Sequence, residues 1–488
     1  MKKIPKILVV CLAVFVVVSL VLRGVLFSMP YEYDELFTAV STDPTFAFSW
    51  LYHHYLLIDV HPPLYNLLLW GWNHWVHFGP ELYLRLPSLF MGVAALLIAW
   101  VDFPKRFGTL ARSVFVALLS CNLYIIMYSQ HARSYMLVLL FAVPLTFLFT
   151  EISLLIRTRQ SITVHEWGRF AVVSVLLCWS HYFGALLFGC FSVLLLAQAV
   201  YYKRNLKWFV LVPSIVFILF LPWLIPNFIA QLHYERFAGN WWGNVAPWRL
   251  IHWALIYAAF STFWPAWTLG LIMLGWGMIR LGVRLKQKKS CPFVREILLL
   301  GLVLILALGC VALISLKTFL FFGRYFIAFL PGFYLLLTLL LLPMLRRGIV
   351  IPVLLVGFLS TNLIFFAIAH RELVKTPKIP SRIISQIFRD TYPDKEMFVV
   401  ALEGFPPPAM PAMYGFYINR VYGLNRPVVE LISLDEATRN EVLKRKDNAF
   451  IWMPNCTKKK LQQASDKIHR SVGVYGRVSN ACILRIFK

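Results

Sequence analysis

FAVVSVLLCWSHYFGALLFGCFSVLLLAQAVY, residues 170–201, holds no Asp, Glu, Lys or Arg. A helix crosses a bilayer in about 20 apolar residues, so this stretch is too long for one span and tight for two. The basic residues around it decide the matter. Counted as one span, it would turn the segment RLGVRLKQKKSCPFVR (Arg280–Arg295) outward. Counted as two, it places Lys105, Arg106 and Arg112, then Lys203, Arg204 and Lys207, then Arg280–Arg295, then Arg346 and Arg347 all on the cytoplasmic face. Cytoplasmic loops carry the excess of Lys and Arg, so two spans are expected, with their turn at Ser180-His181-Tyr182-Phe183 on the outer side.

Working outward, apolar runs at Ile7–Phe27, Leu84–Val101, Ser113–Tyr128, Tyr135–Ile156, Trp208–Pro226, within Leu250–Ile279, and at Ile297–Leu316, Tyr325–Leu342 and Ile349–Ala369 bring the expected total to eleven. The N-terminal run is longer than a signal peptide's core and lacks a small-residue cleavage site, so it reads as an uncleaved first span. The whole 488-residue chain agrees: 60% of residues are hydrophobic and 14% charged, against about a quarter charged in soluble domains. The fold class expected is therefore a polytopic α-helical membrane protein. Its net charge of +25 would suggest nucleic acid in a soluble chain. Here the cations sit in short loops between apolar runs, so the charge reads as topology and contact with anionic membrane lipid, with no nucleic-acid partner.

The basic start Met1–Lys6 puts the N-terminus in the cytoplasm, and an odd number of spans then sends the C-terminus outside. Residues 1–370 form the expected membrane domain. Within it, residues 28–82 form a long first external loop whose stretches Phe37–Tyr52 and Leu64–Trp75 suit helices lying in the interface. Residues 371–488, about the size of one small domain, regain charges and prolines and read as an extracytoplasmic α/β domain. Phe398–Leu402 and Phe450–Met453 are its expected strands, and Pro380–Asp390 and Asp435–Lys446 its expected helices. Six of the eight cysteines precede this tail; Cys456 and Cys482 share it and can pair in an oxidising compartment.

The outward segments carry the chemistry-bearing residues. Asp34 and Glu35 lie just after the first span. A carboxylate there can serve as a general base or be an ordinary solvated acid. Asp59 and His61 precede Pro62-Pro63-Leu64-Tyr65, a helix-breaking run that aims a histidine at a helix start; taken alone, a plain proline-led start is the favoured reading. Arg133, in SQHARSY (Ser129–Tyr135), is a cation on the face where cations are few. It can fork onto phosphate or snorkel to headgroups. The same alternatives hold for Lys317 and Arg324, which flank the short outer loop before Tyr325. His181 and Tyr182 read as site residues or as a packed polar helix end. Together they describe a site for a substrate carrying a phosphate and a hydroxyl.

At this point the sequence resembles a GT-C glycosyltransferase of the protein O-mannosyltransferase and aminoarabinose-transferase type. The residues that carry the resemblance are YDE (Tyr33–Glu35), HPPLYNLLL (His61–Leu69), LRLPSLFMG (Leu84–Gly92), SQHARSYML (Ser129–Leu137), SHYFGALL (Ser180–Leu187) and GRYFIAFLPG (Gly323–Gly332). They occur in the family's order across most of residues 1–370. The resemblance implies a polyprenyl-phosphate-linked sugar as donor and inverting transfer outside the cytoplasmic membrane, to a lipid, protein or cell-envelope glycan. It implies Asp34 as base, Glu35 orienting a substrate, Arg133, Arg324 and Lys317 on the donor phosphate, and Asp59, His61, Tyr65, His181, Tyr182 and Tyr325 lining the cavity. A phosphate leaving group needs little acid help, so one base suffices, and cations stabilise the charge it develops. No cofactor is assigned. Asp34, Asp59 and His61 offer ligands to a divalent metal, as in related oligosaccharyltransferases, and metal is left unassigned.

Three other readings compete. A lipid-linked sugar flippase or transporter predicts inverted repeats and mid-membrane polar residues; no repeat is evident, and the acids lie at the outer boundary. A scaffold presenting its tail explains the tail but not Asp34-Glu35 with outward arginines. An oligosaccharyltransferase carries a WWDYG-type motif, which Trp241-Trp242-Gly243 matches only superficially; an aromatic belt accounts for that loop.

Overall fold

The computed structural model describes residues 4–233 except 26, 28, 30 and 77–79; residues 259–375 except 289–292, 316–321 and 347; and, beyond them, 396–400, 416, 428–429, 449–453, 457–469, 471–478 and 481–486. The chain divides into two units. The first comprises residues 1–26, 57–67 and 85–369, and the second 27–56, 68–84 and 370–488.

The first unit is a helical bundle. Its helices are α1 (Ile4–Leu22), the start of α4 (Leu64–Asn73), most of α5 (Pro80–Val101), α6 (Thr109–Ser120), α7 (Leu123–Tyr128), α8 (Tyr135–Arg157), α9 (Val164–Ser180), α10 (Tyr182–Tyr201), α11 (Lys207–His233), α12 (Trp264–Lys286), α13 (Val294–Ser315), α14 (Leu330–Leu345) and α15 (Val350–Lys375). Among the described residues eight helical segments are long and apolar enough to cross a membrane, with shorter apolar helices at Lys6–Leu22 and Thr109–Ser120. The chain is an integral membrane protein. Gly323–Leu345 is the central segment, 94% buried within the protein, whereas α11, α12 and α13 are 28% buried and leave most of their apolar surface outward. Lipid gives no hydrophobic drive between helices, so contact depends on close packing. Gly277 of α12 shows this: a Cβ there would lie 3.2 Å from Leu340 Cβ of α14.

The stretch 170–201 does break into two helices, and the break explains how both fit. α9 begins at residue 164, before the apolar run, because Thr163 and Glu166 form a capping box: Thr163 Oγ1 accepts the Glu166 N–H at 3.2 Å, and Glu166 Oε2 accepts the Thr163 N–H at 2.6 Å. At 17 residues, α9 is about 26 Å long. It ends at His181, whose backbone is extended and whose Nδ1 accepts the Phe183 N–H at 3.1 Å, capping α10. Gly184 lets α10 pack against the end of α9; a Cβ there would sit 2.7 Å from the Leu177 carbonyl oxygen.

The expected single span Ser113–Tyr128 is instead two helices, α6 and α7. Asn122 interrupts it: its Oδ1 accepts the Ile125 N–H at 3.0 Å, and its Nδ2 donates to the Tyr334 hydroxyl at 2.8 Å, which donates in turn to the Ala259 carbonyl at 2.7 Å. Arg23, wholly buried after α1, closes the neighbouring ends. It donates to the Ser19 and Ser120 carbonyls at 2.8 Å each and to Ser129 Oγ at 3.2 Å. At the opposite end of α8, Arg106 lies 3.4 Å from Glu151 and 3.6 Å from Glu296, and Arg157 lies 3.7 Å from Glu296.

In the second unit, α2 (Tyr33–Ser41) and α3 (Phe48–Leu51) replace the single interfacial helix expected over Phe37–Tyr52. Asp43-Pro44 breaks it, with Asp43 Oδ1 accepting from the Thr45 N–H at 2.9 Å. A mixed sheet follows in the order β2-β1-β3-β5-β4: β1 (Glu396–Val400) is parallel to β2 (Val428–Val429) and β3 (Ala449–Met453), and β5 (Ala481–Ile486) is antiparallel to β3 and β4 (Val472–Val478). Helix α16 (Lys458–Ile468) precedes β4. The expected strands at 398–402 and 450–453 correspond to β1 and β3. Helices 380–390 and 435–446 lie outside the described residues, and α16, β4 and β5 were not anticipated. Cys482 is buried and disulfide-bonded; Cys456 lies outside the described residues.

Candidate active site

The site in the first unit is built on three breaks in helical structure. The first is the segment before α4. Pro62 and Pro63 have no N–H to offer, so the chain turns by a local side-chain bond: Asp59 Oδ1 accepts the His61 N–H at 3.2 Å and lies 3.1 Å from His61 Nδ1. Asn66, one turn into α4, donates to Asp59 Oδ2 at 3.4 Å. The carbonyls of this turn face α11, where two amides one helical turn apart meet them. Asn227 donates to the Leu57 and Asp59 carbonyls at 2.8 and 2.9 Å, and Gln231 to those of Ile58 and Asp59 at 3.0 Å each. Tyr182 places its hydroxyl on Asn227 Oδ1. Tyr182 thus supports the loop through Asn227.

The second break is the loop between α7 and α8. Arg133 carries one guanidinium nitrogen to 3.2 Å from His61 Nδ1. The Arg133 carbonyl accepts from Ser88 Oγ at 3.4 Å, and Ser88 is held by the Tyr65 hydroxyl at 2.7 Å. Tyr65 therefore braces the arginine's backbone. His61 Nδ1 stands near both a carboxylate and a guanidinium, and one nitrogen serves one of them at a time: protonated it donates to Asp59, bare it accepts from Arg133. Asp59, His61, Arg133 and His181 are each at most 8% exposed, so these charges act in a weakly screened setting.

The third break is His181 together with the tight helical turn Gly323–Phe329. The His181 ring lies 4.8 Å from that of His61, 5.3 Å from Tyr325 and 5.8 Å from Tyr135. Arg324 extends over the Tyr325 ring, 5.7 Å from its centroid. Burial pushes the His181 pKa well below the usual histidine range, and the positive neighbours His61, Arg133 and Arg324 push it further the same way. His181 is therefore neutral. Its Nδ1 accepts the Phe183 N–H, so its proton sits on Nε2. Among the described residues that buried Nε2 has no hydrogen-bond partner, and neither does the buried hydroxyl of Tyr135. Buried polar groups are nearly always paired, so two unspent groups beside two arginines mark a place for an oxygen-rich ligand.

The expected residues Asp59, His61, Arg133, His181, Tyr325 and Arg324 thus converge, with Tyr65 and Tyr182 behind them. Asn227, Gln231, Asn66 and Tyr135 join them and were not singled out; the signal available was a pair of amides four residues apart on an otherwise apolar helix. Asp34 and Glu35 belong to the second unit. Glu35 is fully buried in the first turn of α2 and accepts the Glu32 N–H at 3.0 Å, an N-terminal cap. Asp34, beside it, is half-buried. Lys317 and Trp241–Gly243 lie outside the described residues. Among the described residues no three His, Cys, Asp or Glu side chains are placed to hold a metal ion.

No family model and no curated relative matches the sequence. Solved structures do. ArnT from Cupriavidus metallidurans in the apo state aligns with a TM-score of 0.60 at 12% identity, over 97% of each chain. The fold is that of ArnT. The same protein bound to undecaprenyl phosphate aligns with a TM-score of 0.58, again at 12% identity and 97% of each chain. ArnT is an aminoarabinose transferase of the GT-C class, and at this identity the likeness speaks for the GT-C fold.

Proposed function

We propose that the chain is an inverting glycosyltransferase that takes a sugar from a polyprenyl-phosphate carrier on the outer face of the cytoplasmic membrane. In this reading eleven helices cross the bilayer and residues 371–488 lie outside. The observation that carries it is the pair of unspent buried polar groups, His181 Nε2–H and the Tyr135 hydroxyl, beside Arg133 and Arg324. A phosphate monoanion or dianion satisfies such donors, and arginine's fork matches its oxygens. The ArnT structure with undecaprenyl phosphate supports a lipid-linked phosphate as the group bound.

The reaction breaks the bond between the anomeric carbon and the phosphate oxygen and forms one from that carbon to an acceptor oxygen or nitrogen. Electrons of the broken bond stay on the carrier phosphate, whose growing charge Arg133, Arg324 and His181 stabilise. The acceptor's proton passes to a carboxylate. Asp34 takes that role, and Glu35 that of orienting a substrate, on the sequence resemblance alone. The test is transfer of radiolabel from a panel of undecaprenyl- and dolichyl-phosphate sugars into native membrane extract, with purified protein in nanodiscs. Wild-type transfer that Arg133→Gln loses is the expected result. Folded wild-type protein that moves label across vesicles but into no acceptor would instead favour a lipid-linked sugar transporter.

A further inference from the structure

A second polar feature lies at the end of the bundle where α12 and α14 finish, apart from the site above and independent of the transfer reaction. A cavity of about 320 Å³ opens there between α12, α13, α14 and the start of α15, walled by Trp276, Leu340, Pro343 and Ile351 and carrying Arg280 and Arg284. Residues four apart on a helix share a face, so both guanidiniums serve this one slot. Arg280 is exposed and Arg284 half-buried, and among the described residues neither has a carboxylate against it. The contrast with a neighbouring cavity is informative. Arg157 and Arg295 line a space of about 360 Å³, but Glu296 in its wall already pairs with Arg157. A third, of about 260 Å³, is lined by apolar residues alone. Of these three, only the first carries two guanidiniums with no carboxylate in its lining.

We propose that this slot is a binding site for an anionic diacyl phospholipid, its phosphate held by Arg280 and Arg284 and an acyl chain along Trp276 and Leu340. The surrounding surface is lipid-facing, with Ile279 68% and Val350 50% exposed, and Trp276 has the place of an interfacial aromatic. The remaining cations of this end, Lys286, Lys288 and Arg346, add to the attraction for an anionic headgroup.

The experiment uses the full-length protein in detergent, titrated with dioleoyl phosphatidylglycerol or dioleoyl phosphatidylcholine and read by native mass spectrometry and thermal melting. The expected result is retained phosphatidylglycerol on the wild type, weakened about thirtyfold in Arg280→Gln/Arg284→Gln, since each basic residue near a lipid surface contributes a comparable share. Lys203→Gln/Lys207→Gln, which removes equal charge outside the slot, is expected to bind as the wild type does. Arg280→Gln alone, at an exposed position, carries the same test at about fivefold should the double variant fail to fold. Equal retention of phosphatidylcholine, equal loss in the Lys203/Lys207 variant, or the same stabilisation by inorganic phosphate would each overturn the proposal.

Discussion

His181→Asn separates the two jobs of one side chain. In the wild type, Nδ1 caps α10 through the Phe183 N–H while Nε2 holds an unspent proton. Asparagine is a good N-cap, so the variant keeps the helix start and loses only the second function. A hydrogen bond to a charged group is worth about 1.5–3 kcal/mol, which predicts undecaprenyl-phosphate binding about ten- to 150-fold weaker. His181→Ala should lose the same binding and about 1 kcal/mol of stability besides. The pH dependence gives a separate reading. The folded His181 titrates well below its ordinary value, from burial first and then from its positive neighbours, while the unfolded chain titrates near 6.5. Between those values the unfolded state binds a proton that the folded state refuses. Stability therefore falls as pH drops below about 6.5, by up to about 1.4 kcal/mol per pH unit, and is level above it with respect to this group. His181→Asn should flatten that slope. The assay is binding of radiolabelled undecaprenyl phosphate alongside melting from pH 5 to 8. Wild-type binding by His181→Asn, with an unchanged pH slope, would refute the assignment of the proton to Nε2.

Other substitutions test neighbouring atoms. Asp34→Asn should cut transfer about 10²- to 10⁴-fold while leaving carrier binding intact; loss of binding instead would remove the base role. Arg133→Gln should weaken carrier binding by a further one to two orders of magnitude on the same hydrogen-bond scale, and Arg133→Lys should recover part of it, because charge remains and the planar fork does not. Recovery to the full wild-type affinity would argue against forked phosphate contact. Asn227→Leu leaves the Leu57 carbonyl without its amide and should destabilise the protein by about 1–3 kcal/mol, seen as a lower melting temperature; an unchanged melt would mean Gln231 or water takes over.

The bundle was legible wherever apolar length and loop charge spoke together. Residues 170–201 read as two helices because the alternative turned the later basic loops outward, and the break fell at His181, whose side chain caps α10. The start of α9 was missed because Glu166 and Arg169 look like loop, although Thr163 and Glu166 are themselves the cap that begins the helix. Asn122 was missed for the opposite reason: one polar residue in an apolar run is a weak sign of a break until its partner, Tyr334, is known. The cluster Asp59–His61–Arg133–His181–Arg324 was anticipated as residues but not as an arrangement. Asn227 and Gln231 form a local pattern, two amides four residues apart on an apolar helix, but their loop-carbonyl partners lie about 170 residues away in sequence and are not encoded in it. In the tail, the glycine-interrupted VGVYGRV of β4 has a weak alternation, and its pairing with β5 carries a bulge between Val474 and Gly476.

Burial itself explains why these residues collect where they do. Away from water, a backbone carbonyl or N–H without a partner costs several kcal/mol, so each buried interruption of a helix must bring its own donors or acceptors. Asp59 supplies an acceptor for the turn before α4, Asn122 for α7, His181 for α10, and Asn227 and Gln231 supply donors for carbonyls 57–59. Each of these side chains has a second polar atom. At Asn122 it is spent on Tyr334, and the result is rigid structure. At His181 it faces arginines and remains unspent, and the result is a binding site. The difference between a structural break and a functional one in this bundle is therefore where the second atom points. Truncation to alanine removes both atoms together, so capping-competent replacements are the ones that separate folding from chemistry here.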